Sequence, residues 1–263
     1  MYDFTYRRPA NLAEATAFLR GAADARPLSG GQTLLPVMRA RLAAPSDVID
    51  VSQLSELHGI SEQDGRLIIG AAETHAAVAS NAVVQFVVPA LSELAGGIGD
   101  VQVRHRGTIG GSVANNDPAA CYPSGCLALD AEIVTDRRRI AAADFFTGMF
   151  STALEPDELV TALSFPKCDN AYYLKFHNPA SRFALIGIFA AHLSGETRIA
   201  VTGSGTGVFR WREAEAQIDT GGARDFSQTP LDASLFTGDL HGSADYRQHL
   251  VRVLSARALD HLR

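Results

Sequence analysis

The chain has 263 residues, of which 46% are hydrophobic and 20% charged, enough for one large domain or two modest ones. The apolar fraction excludes a disordered chain, and the 23 glycines and 11 prolines show no collagen-like period. A net charge of −6 argues against a nucleic-acid binder, which needs a basic face for phosphate contacts.

Nothing in the sequence indicates a membrane span, a secretion signal or a metal centre. The longest apolar run, over 183–191, is far shorter than the roughly 20 residues that span a bilayer. The first nine residues lack the apolar stretch of a signal peptide. Three cysteines, Cys121, Cys126 and Cys168, form neither an even set for disulfides nor the four ligands of an iron–sulfur cluster. We therefore expect a soluble, cytoplasmic protein.

The first two thirds of the chain predict alternating strands and helices. Asn11 followed by Glu14 is an approximate capping box, which begins a helix that ends near Arg20. Thr74 is the expected N-cap of a short helix. A break over 166–170 indicates a domain boundary. The predicted strands are 4–8, a short strand ending at Leu28, 48–51, 66–71, 131–135, 159–165 and 172–176, and the other predicted helices are 34–42 and 89–95.

The last third predicts a small α+β unit. Strands over 183–192 and 197–202 are joined by a turn at Ser194 and Gly195, and helices are expected over 211–218 and 246–262. The last of these helices has one apolar face, formed by Leu250, Val253, Leu254, Ala258 and Leu262.

A glycine doublet follows the predicted strand that ends at Leu28. The segment Leu28-Ser29-Gly30-Gly31-Gln32-Thr33-Leu34-Leu35 runs from this strand into the start of a helix. Glycines let backbone amides approach a ligand closely, and unpaired amides at a helix start favour an anion. No Gly-Lys-Ser/Thr follows, so the segment is not a Walker A loop. An ordinary strand-to-helix turn explains this segment equally well when it is taken alone.

A second glycine doublet lies in the basic, glycine-rich stretch 96–112. In Thr108-Ile109-Gly110-Gly111-Ser112 two hydroxyls flank the doublet, and Arg104 and Arg106 precede it. One such turn is common in α/β proteins. Two doublets, each beside Ser, Thr or Gln, predict that a dinucleotide diphosphate is bound from two sides by amides and hydroxyls.

The remaining motifs favour no further chemistry. The last glycine of the segment Gly203–Gly207 comes one residue too early for the G-x-G-x-x-G motif of dinucleotide-binding proteins, and we interpret the segment as a turn. The eight histidines are scattered without metal-ligand spacing, and His75 is interpreted as a packed or capping residue. No G-x-S-x-G nucleophile elbow is present.

Taken together, the two doublets resemble the flavin-binding signatures of one family. The matching segments are 29–36 and 103–112, followed by 145–148 and 154–159, and the similarity runs from Phe4 to Phe209 in the family's order and spacing. The family is the FAD-binding medium subunit of molybdenum hydroxylases, which includes the carbon monoxide and xanthine dehydrogenases.

The resemblance implies an α+β FAD-binding fold of the p-cresol methylhydroxylase/vanillyl-alcohol oxidase type. Two α+β subdomains, about 1–55 and 56–167, would hold an extended FAD within a domain over 1–167. Residues 168–263 would form a separate, small α+β C-terminal flavoprotein domain that covers part of the flavin side.

The resemblance also implies which residues contact FAD. Lys175 matches a lysine close to the flavin ring, and Phe183 matches an aromatic residue that shields it. Many relatives have an acidic residue at the position of Cys121, so one carboxylate contact is absent here, and a nearby polar side chain (Asn115, Asn116 or Asp117) is expected to compensate. Otherwise Cys121 only packs in the core. The implied FAD-binding residues are Leu28, Ser29, Gly30, Gly31, Gln32, Thr33, Leu34, Leu35, Ile98, Thr108, Ile109, Gly110, Gly111, Ser112, Cys121 and Lys175.

The function implied by the resemblance is electron transfer within a dimer of heterotrimers. A large molybdopterin subunit would oxidise the substrate, and electrons would pass through the [2Fe–2S] clusters of a small subunit to the FAD of this chain. The external acceptor is a quinone, NAD⁺ or O₂, and neither it nor the substrate is identified by the sequence. No residue of this chain is expected to be catalytic, and the positive charge of Lys175 is expected to raise the flavin potential.

Two alternatives stay open. A self-sufficient FAD-dependent oxidase would need a substrate base and often a covalent flavin link, for which His105 or Cys121 is available, but the small C-terminal unit leaves little room for a substrate domain. A flavin-free scaffold subunit is the other alternative, and the presence of both glycine doublets argues against it.

Overall fold

Three main sheets follow one another along the chain in the computed structural model, which describes residues 1–262. The strands are β1 (Thr5–Arg7), β2 (Ala25–Leu28), β3 (Asp47–Asp50), β4 (Ile60–Gln63), β5 (Arg66–Gly70), β6 (Glu132–Thr135), β7 (Arg139–Ala141), β8 (Phe146–Gly148), β9 (Ser151–Thr152), β10 (Val160–Pro166), β11 (Ala171–His177), β12 (Ala184–Leu193), β13 (Glu196–Thr202) and β14 (Phe209–Arg210). The first sheet is parallel, in the order β1-β3-β2. The second (β4-β5-β10-β6-β7) and third (β11-β12-β13-β14) are antiparallel, and β8 and β9 form a separate hairpin.

Most of the helices are short. They are α1 (Leu12–Gly21), α2 (Leu34–Arg39), α3 (His75–Ser80), α4 (Ala82–Val87), α5 (Pro89–Gly96), α6 (Val101–Arg104), α7 (Ile109–Asn115), α8 (Tyr122–Ala128), α9 (Ala142–Phe145), α10 (Arg212–Asp219) and α11 (Ala244–Leu259). The predicted N-cap of α1 is confirmed, because the Glu14 amide donates to Asn11 Oδ1 over 2.9 Å. The Glu14 carboxylate accepts from the Ala10 amide over 2.6 Å, one residue before the donor of a regular capping box. Within residues 1–262, no helix has the length and apolar character needed to cross a membrane.

The second sheet forms one side of the largest hydrophobic core. Leu67 and Ile69 of β5 and Leu163 and Phe165 of β10 are fully buried, and helices α3, α4, α5, α7 and α8 supply the apolar residues that cover this core. Every residue of α8 is buried. The core therefore fixes the starts of α3 and α7, from which the candidate site is built.

The third sheet has its own core, covered by α10 and α11. The predicted hairpin is confirmed: Ser194 and Gly195 take left-handed backbone conformations, with φ of 54° and 84°, between β12 and β13. Trp211 and Phe226 lie in this core with ring centroids 5.2 Å apart. The predicted last helix begins two residues earlier than expected and ends at Leu259.

Several elements differ from the sequence prediction. The helix predicted over 34–42 ends at Arg39, and the stretch 96–112 contains α6 and the start of α7. Helix α8 escaped prediction because its Tyr-Pro-Ser-Gly-Cys-Leu-Ala sequence has little intrinsic helix preference. Tertiary burial overrides that preference, and Pro123 is tolerated because it lies in the first turn of the helix.

Candidate functional site

The first glycine loop, residues 29–33, leaves a row of backbone amides without partners. It connects β2 to α2, and Gly31 takes a left-handed conformation with φ of 71° between the side chains of Leu28 and Leu35. Within the described residues, the amides of 30–34 donate to no oxygen. Consecutive free N–H groups of this kind form a concave site for an anion such as a diphosphate.

The two glycine loops touch each other. The hydroxyls of Ser29 and Thr108 form a hydrogen bond of 3.0 Å. Gly30 lies directly against the backbone of the second loop, since a Cβ placed on it would be 2.2 Å from Arg106 O and 2.7 Å from Gly107 Cα. Only a glycine at position 30 permits this contact.

The second glycine loop, residues 106–112, uses most of its amides in hydrogen bonds within the protein. The Ile109 amide donates to Glu73 O over 3.0 Å, and the Gly110 amide donates to Ala71 O over 2.9 Å. The Gly111 amide donates to Thr108 Oγ1 over 3.3 Å, as expected for the first turn of α7. The glycine doublet of the second loop therefore has no free amide, whereas the Thr108 amide has no acceptor within residues 1–262. The Ser112 hydroxyl has no partner within residues 1–262 either, so this hydroxyl and the Thr108 amide are the donors that the loop can still offer.

Packing explains the glycine at position 110. A Cβ placed on it would lie 2.5 Å from Ala71 Cβ and 2.7 Å from Ala71 O, so α7 can approach β5 only without a side chain there. In sequence the two doublets look equivalent, but the reason for glycine differs between them.

A buried histidine contacts the second glycine loop and holds its backbone in place. The His75 amide donates to Gly107 O over 2.9 Å, and a Cβ on Gly107 would lie 2.6 Å from His75 Nε2. Burial, with a smaller effect from the positive charge of Arg104, lowers the pKa of His75 to about 4. The imidazole is therefore neutral at physiological pH and packs against Tyr122, with ring centroids 5.4 Å apart.

Lys175 and Cys121, both implied by the resemblance, lie side by side. Lys175 Nζ donates to Gly97 O over 2.6 Å and to Arg182 O over 3.2 Å, and it lies 3.6 Å from Cys121 Sγ. Among the residues that the structure describes, no carboxylate lies within 4 Å of this ammonium group. Its charge is therefore solvated by neutral groups and remains available to an anionic or electron-rich ligand.

Ile98 adjoins this pair through the backbone, next to Gly97, and is partly buried against the main core. Arg104 holds the turn in place, because its Nη1 donates to Ile98 O and Gly99 O, each over 3.0 Å. In the sequence, Arg104 is recognisable only as a positively charged residue before the second glycine doublet. Its structural role was missed, because the carbonyls it binds carry no sequence signal.

The residues expected to compensate for the missing carboxylate behave differently from one another. Asn116 is buried, and its side-chain amide donates to Gly148 O and Ser151 O, each over 2.8 Å. Asp117 Oδ1 accepts from the Ala119 amide over 2.8 Å. The Asn116 amide nitrogen is therefore committed to the β8–β9 turn.

The arrangement fits an elongated anionic cofactor with an electron-accepting ring. The free amides at 30–34 suit a diphosphate, and the uncompensated Lys175 ammonium suits a ring that gains negative charge. The Tyr173 hydroxyl, buried near Cys121, has no partner within residues 1–262, and burial raises its pKa well above the usual value. Gln32 and Thr33 are exposed beside the free amides and can supply further donors.

Comparison with known proteins gives consistent matches along the whole chain. A family profile described as the FAD binding domain in molybdopterin dehydrogenase matches residues 2–168. The glyceraldehyde dehydrogenase medium chain of Sulfolobus acidocaldarius is 33% identical over 272 residues, which cover 97% of this chain and 97% of that one. The nicotine 6-hydroxylase medium subunit of Paenarthrobacter nicotinovorans is 33% identical over 97% of this chain and 95% of its own length.

A solved structure gives the same result for the fold. The carbon monoxide dehydrogenase from Hydrogenophaga pseudoflava, in a form lacking the Mo-pyranopterin moiety of its cofactor, matches with a TM-score of 0.87. The two chains are 31% identical, and the match covers 98% of this chain and 96% of that one.

Proposed function

The chain belongs to the family of FAD-binding medium subunits of molybdenum hydroxylases, and from this premise we propose that it transfers electrons from a partner subunit to an external acceptor. The resemblance seen in the sequence is thereby confirmed, and residues 2–168 are an FAD-binding domain. The relatives named above are dehydrogenase and hydroxylase subunits, so this chain is part of an oxidoreductase.

The observation that carries the proposal is that one chain combines a row of free backbone amides with an ammonium group that has no carboxylate partner. Free amides at 30–34 offer hydrogen bonds to a diphosphate, and the Lys175 ammonium has no carboxylate partner among the described residues. Bound FAD supplies the two-electron redox chemistry. Lys175 holds a positive charge next to the Cys121 thiol, and this charge favours added electron density on a neighbouring ring.

The proposed partners follow from the family to which the chain belongs. The three cysteines, of which Cys121 and Cys126 lie in the main core, cannot form a four-cysteine cluster site. No group of three or more metal-ligating side chains occurs in the part of the chain that is described. From the family, and from relatives that are themselves a medium chain and a medium subunit, we infer a [2Fe–2S] small subunit as electron donor and a molybdopterin large subunit as the site of substrate oxidation, in a dimer of heterotrimers.

The proposed architecture is the two-subdomain FAD-binding fold of the p-cresol methylhydroxylase/vanillyl-alcohol oxidase type. The units are 1–55, 56–167 and 168–263, and each contains one of the three main sheets. The FAD contacts proposed are the residues implied by the resemblance, except that in the second loop the Thr108 amide and the Ser112 hydroxyl are the donors to FAD and the glycine doublet packs within the protein. Ile98 and Lys175 are proposed to lie at the flavin-ring end.

Purification from the native cells tests the proposed assembly. The expected product is a coloured complex of this chain with two further subunits that hold iron, acid-labile sulfide and a molybdopterin. A colourless preparation that takes up no FAD would support the scaffold alternative, and flavin that stays with acid-precipitated protein would support the self-sufficient oxidase. Either result would overturn the proposal.

The Lys175→Met variant tests the electrostatic role of the lysine. It should retain FAD, but its midpoint potential should fall by about 30 mV or more, which corresponds to about 1.4 kcal/mol for a two-electron couple. Lys167, the other lysine of the chain, lies over the exposed Phe86 ring, and Lys167→Met is the matched control. Equal potentials in Lys175→Met and the unaltered protein would remove Lys175 from this role.

A further inference from the structure

The ammonium group of Lys175 has three hydrogen-bond acceptors that differ in kind. It donates to Gly97 O over 2.6 Å and to Arg182 O over 3.2 Å, and its third acceptor is Cys121 Sγ at 3.6 Å. An ammonium group has three hydrogens, so these three atoms use all of its donors. Two of the acceptors are backbone carbonyls, which every residue type carries. Cys121 is therefore the acceptor through which a change of sequence can alter the surroundings of this charge.

The fold holds all three acceptors in place. Gly97 is the C-cap of α5, and Cys121 is the N-cap of α8, whose residues are all buried. Arg182 lies in the loop between β11 and β12. The buried Asn178 side chain fixes this loop, because its Oδ1 accepts from two amides of the loop over 2.9 and 3.2 Å. The ammonium group is therefore held at a defined position next to the thiol.

The polar groups around this ammonium are uncharged. Cys121 is 5% exposed and lies in the main core. The Tyr173 hydroxyl beside Cys121 is neutral, because burial raises the pKa of Tyr173 well above its usual value. Lys175 takes part in no ion pair among the residues that the structure describes. The cluster of Lys175, Cys121 and Tyr173 therefore keeps one full positive charge.

This positive charge also acts on a neighbouring residue of β11. The pKa of His177 is lowered from its usual value, first by burial and then by the positive charges of Lys175 and Arg182. His177 lies two residues beyond Lys175 on the same strand. The charge of Lys175 is thus effective beyond the three atoms to which it donates.

A carboxylate at position 121 would remove this charge from the cluster. It would stand where Cys121 Sγ accepts from Lys175, and the two groups would form an ion pair with no net charge. Salt screens such a buried pair much less than a pair at the surface. The thiol accepts the same hydrogen without bringing a negative charge. Residue 121 therefore decides whether the cluster carries one positive charge or none.

We propose that Cys121 sets the reduction potential of the bound flavin, because its thiol leaves the charge of Lys175 uncompensated. This inference rests on the proposed electron-transfer function and adds a residue that regulates its driving force. Addition of two electrons and one proton to FAD leaves one negative charge on the cofactor; the partner subunit supplies the electrons, and solvent supplies the proton. The neighbouring positive charge stabilises this product. Cys121 acts through Lys175 and is therefore a positioning residue.

Redox titration of the purified FAD-containing complex, followed by flavin absorbance, tests this proposal. Cys121→Asp should lower the equilibrium constant for flavin reduction about tenfold, which corresponds to about 30 mV for a two-electron couple. Cys121→Asn, which has the size of the aspartate variant without its charge, should keep the potential. Equal potentials in these two variants would overturn the inference.

Two controls separate the charge at position 121 from other effects. Leu42→Asp adds the same charge at a position after α2 that is 80% exposed, and it should leave the potential unchanged because solvent and salt screen it. Cys126→Ser alters the other cysteine of α8, which is fully buried and contacts no lysine among the described residues, and it should also keep the potential. Leu42→Asp with a potential as low as that of Cys121→Asp would contradict a local effect at Lys175.

Cys121→Ser keeps the test decisive even where the aspartate variant does not fold. Serine is uncharged and of similar size, so the flavin potential should stay that of the unaltered protein. A fall as large as that in Lys175→Met would show that the sulfur itself, and not the missing negative charge, determines the potential, and it would overturn the inference.

The double variant Cys121→Asp with Lys175→Met tests whether residue 121 acts through the lysine. Without the ammonium, burial favours the neutral carboxylic acid, so the double variant should have the potential of Lys175→Met alone. A further tenfold fall in the double variant would overturn the role through Lys175. FAD content, measured on the same samples, reports separately on the proposed function: a complex without flavin contradicts that function, whereas bound flavin with equal potentials in Cys121→Asp and Cys121→Asn contradicts this inference alone.

Discussion

The two glycine doublets are similar in sequence and opposite in their use of the backbone. In the first loop, residues 29–33, the amides of 30–34 are free and Gly31 adopts a left-handed conformation. In the second loop, residues 106–112, the amides of the doublet are bonded within the protein, and Gly110 is required by the approach of Ala71. The amides of the first loop are available to a ligand, whereas those of the second doublet serve the packing of the fold.

Because of this difference, substitutions in the two loops should affect different properties of the protein. Damage to the first loop removes amide donors from a diphosphate and should reduce FAD affinity in a protein that still folds. Damage to the second loop breaks the contact between α7 and β5 and should reduce stability first. The predictions below separate these two outcomes, beginning with the largest expected effect.

Gly30→Ala should cause the largest loss of FAD. Its Cβ would lie 2.2 Å from Arg106 O, so the loops must separate and the amide row must shift. Loss of two hydrogen bonds to a charged group, each worth about 1.5 kcal/mol, corresponds to about 100-fold in affinity. Equilibrium dialysis of FAD measures this change. Gly21→Ala, where a Cβ meets nothing within 4 Å, is the control and should bind FAD normally.

Acidification should destabilise the folded protein through His75, which packs against the second glycine loop. His75 has a folded-state pKa of about 4, against about 6.5 when unfolded, so the unfolded chain binds more protons between these two values. The free energy of unfolding should therefore fall by about 3 kcal/mol as the pH drops from about 6.5 to about 4. Urea denaturation at several pH values measures this dependence.

His75→Phe should flatten that part of the pH profile, because the variant has no imidazole to titrate under the second loop. His249→Gln, at an exposed position on α11, is the control and should keep the slope. A slope that persists unchanged in His75→Phe would show that another group carries it.

Gly110→Ala should destabilise the fold by about 1–3 kcal/mol, the usual cost of overpacking. The added Cβ would lie 2.5 Å from Ala71 Cβ and 2.7 Å from Ala71 O, and the backbone oxygen cannot rotate away. The folded fraction should keep an FAD affinity within about threefold of normal, since the amides of 30–34 are untouched. Gly96→Ala, which meets only Ala79 Cβ at 3.8 Å, is the stability control. A loss of affinity that exceeds the loss of stability would place Gly110 in direct FAD contact.

The sequence predicted the local structure of the glycine loops more completely than the reasons for their glycines. The strand, doublet and helix start over 28–35 are visible because glycine preference and helix capping are local properties. The partners of the second doublet are not local, since Ala71 and Glu73 reach it through the tertiary fold. Helix α8 and the turn held by Asn116 were missed for the same reason, because burial and long-range carbonyls decide them.

The smallest expected effect concerns the one side-chain bond that joins the two loops. Ser29 Oγ and Thr108 Oγ1 are 3.0 Å apart, so Ser29→Ala and Thr108→Val should each weaken FAD binding modestly. Because both variants remove the same hydrogen bond, the double variant should lose less than the sum, with a coupling of about 1 kcal/mol. Ser112→Ala combined with Ser29→Ala is the comparison cycle, because Ser112 does not bond to Ser29. Strict additivity in the Ser29–Thr108 cycle would mean that the loops are joined by the backbone contact at Gly30 alone.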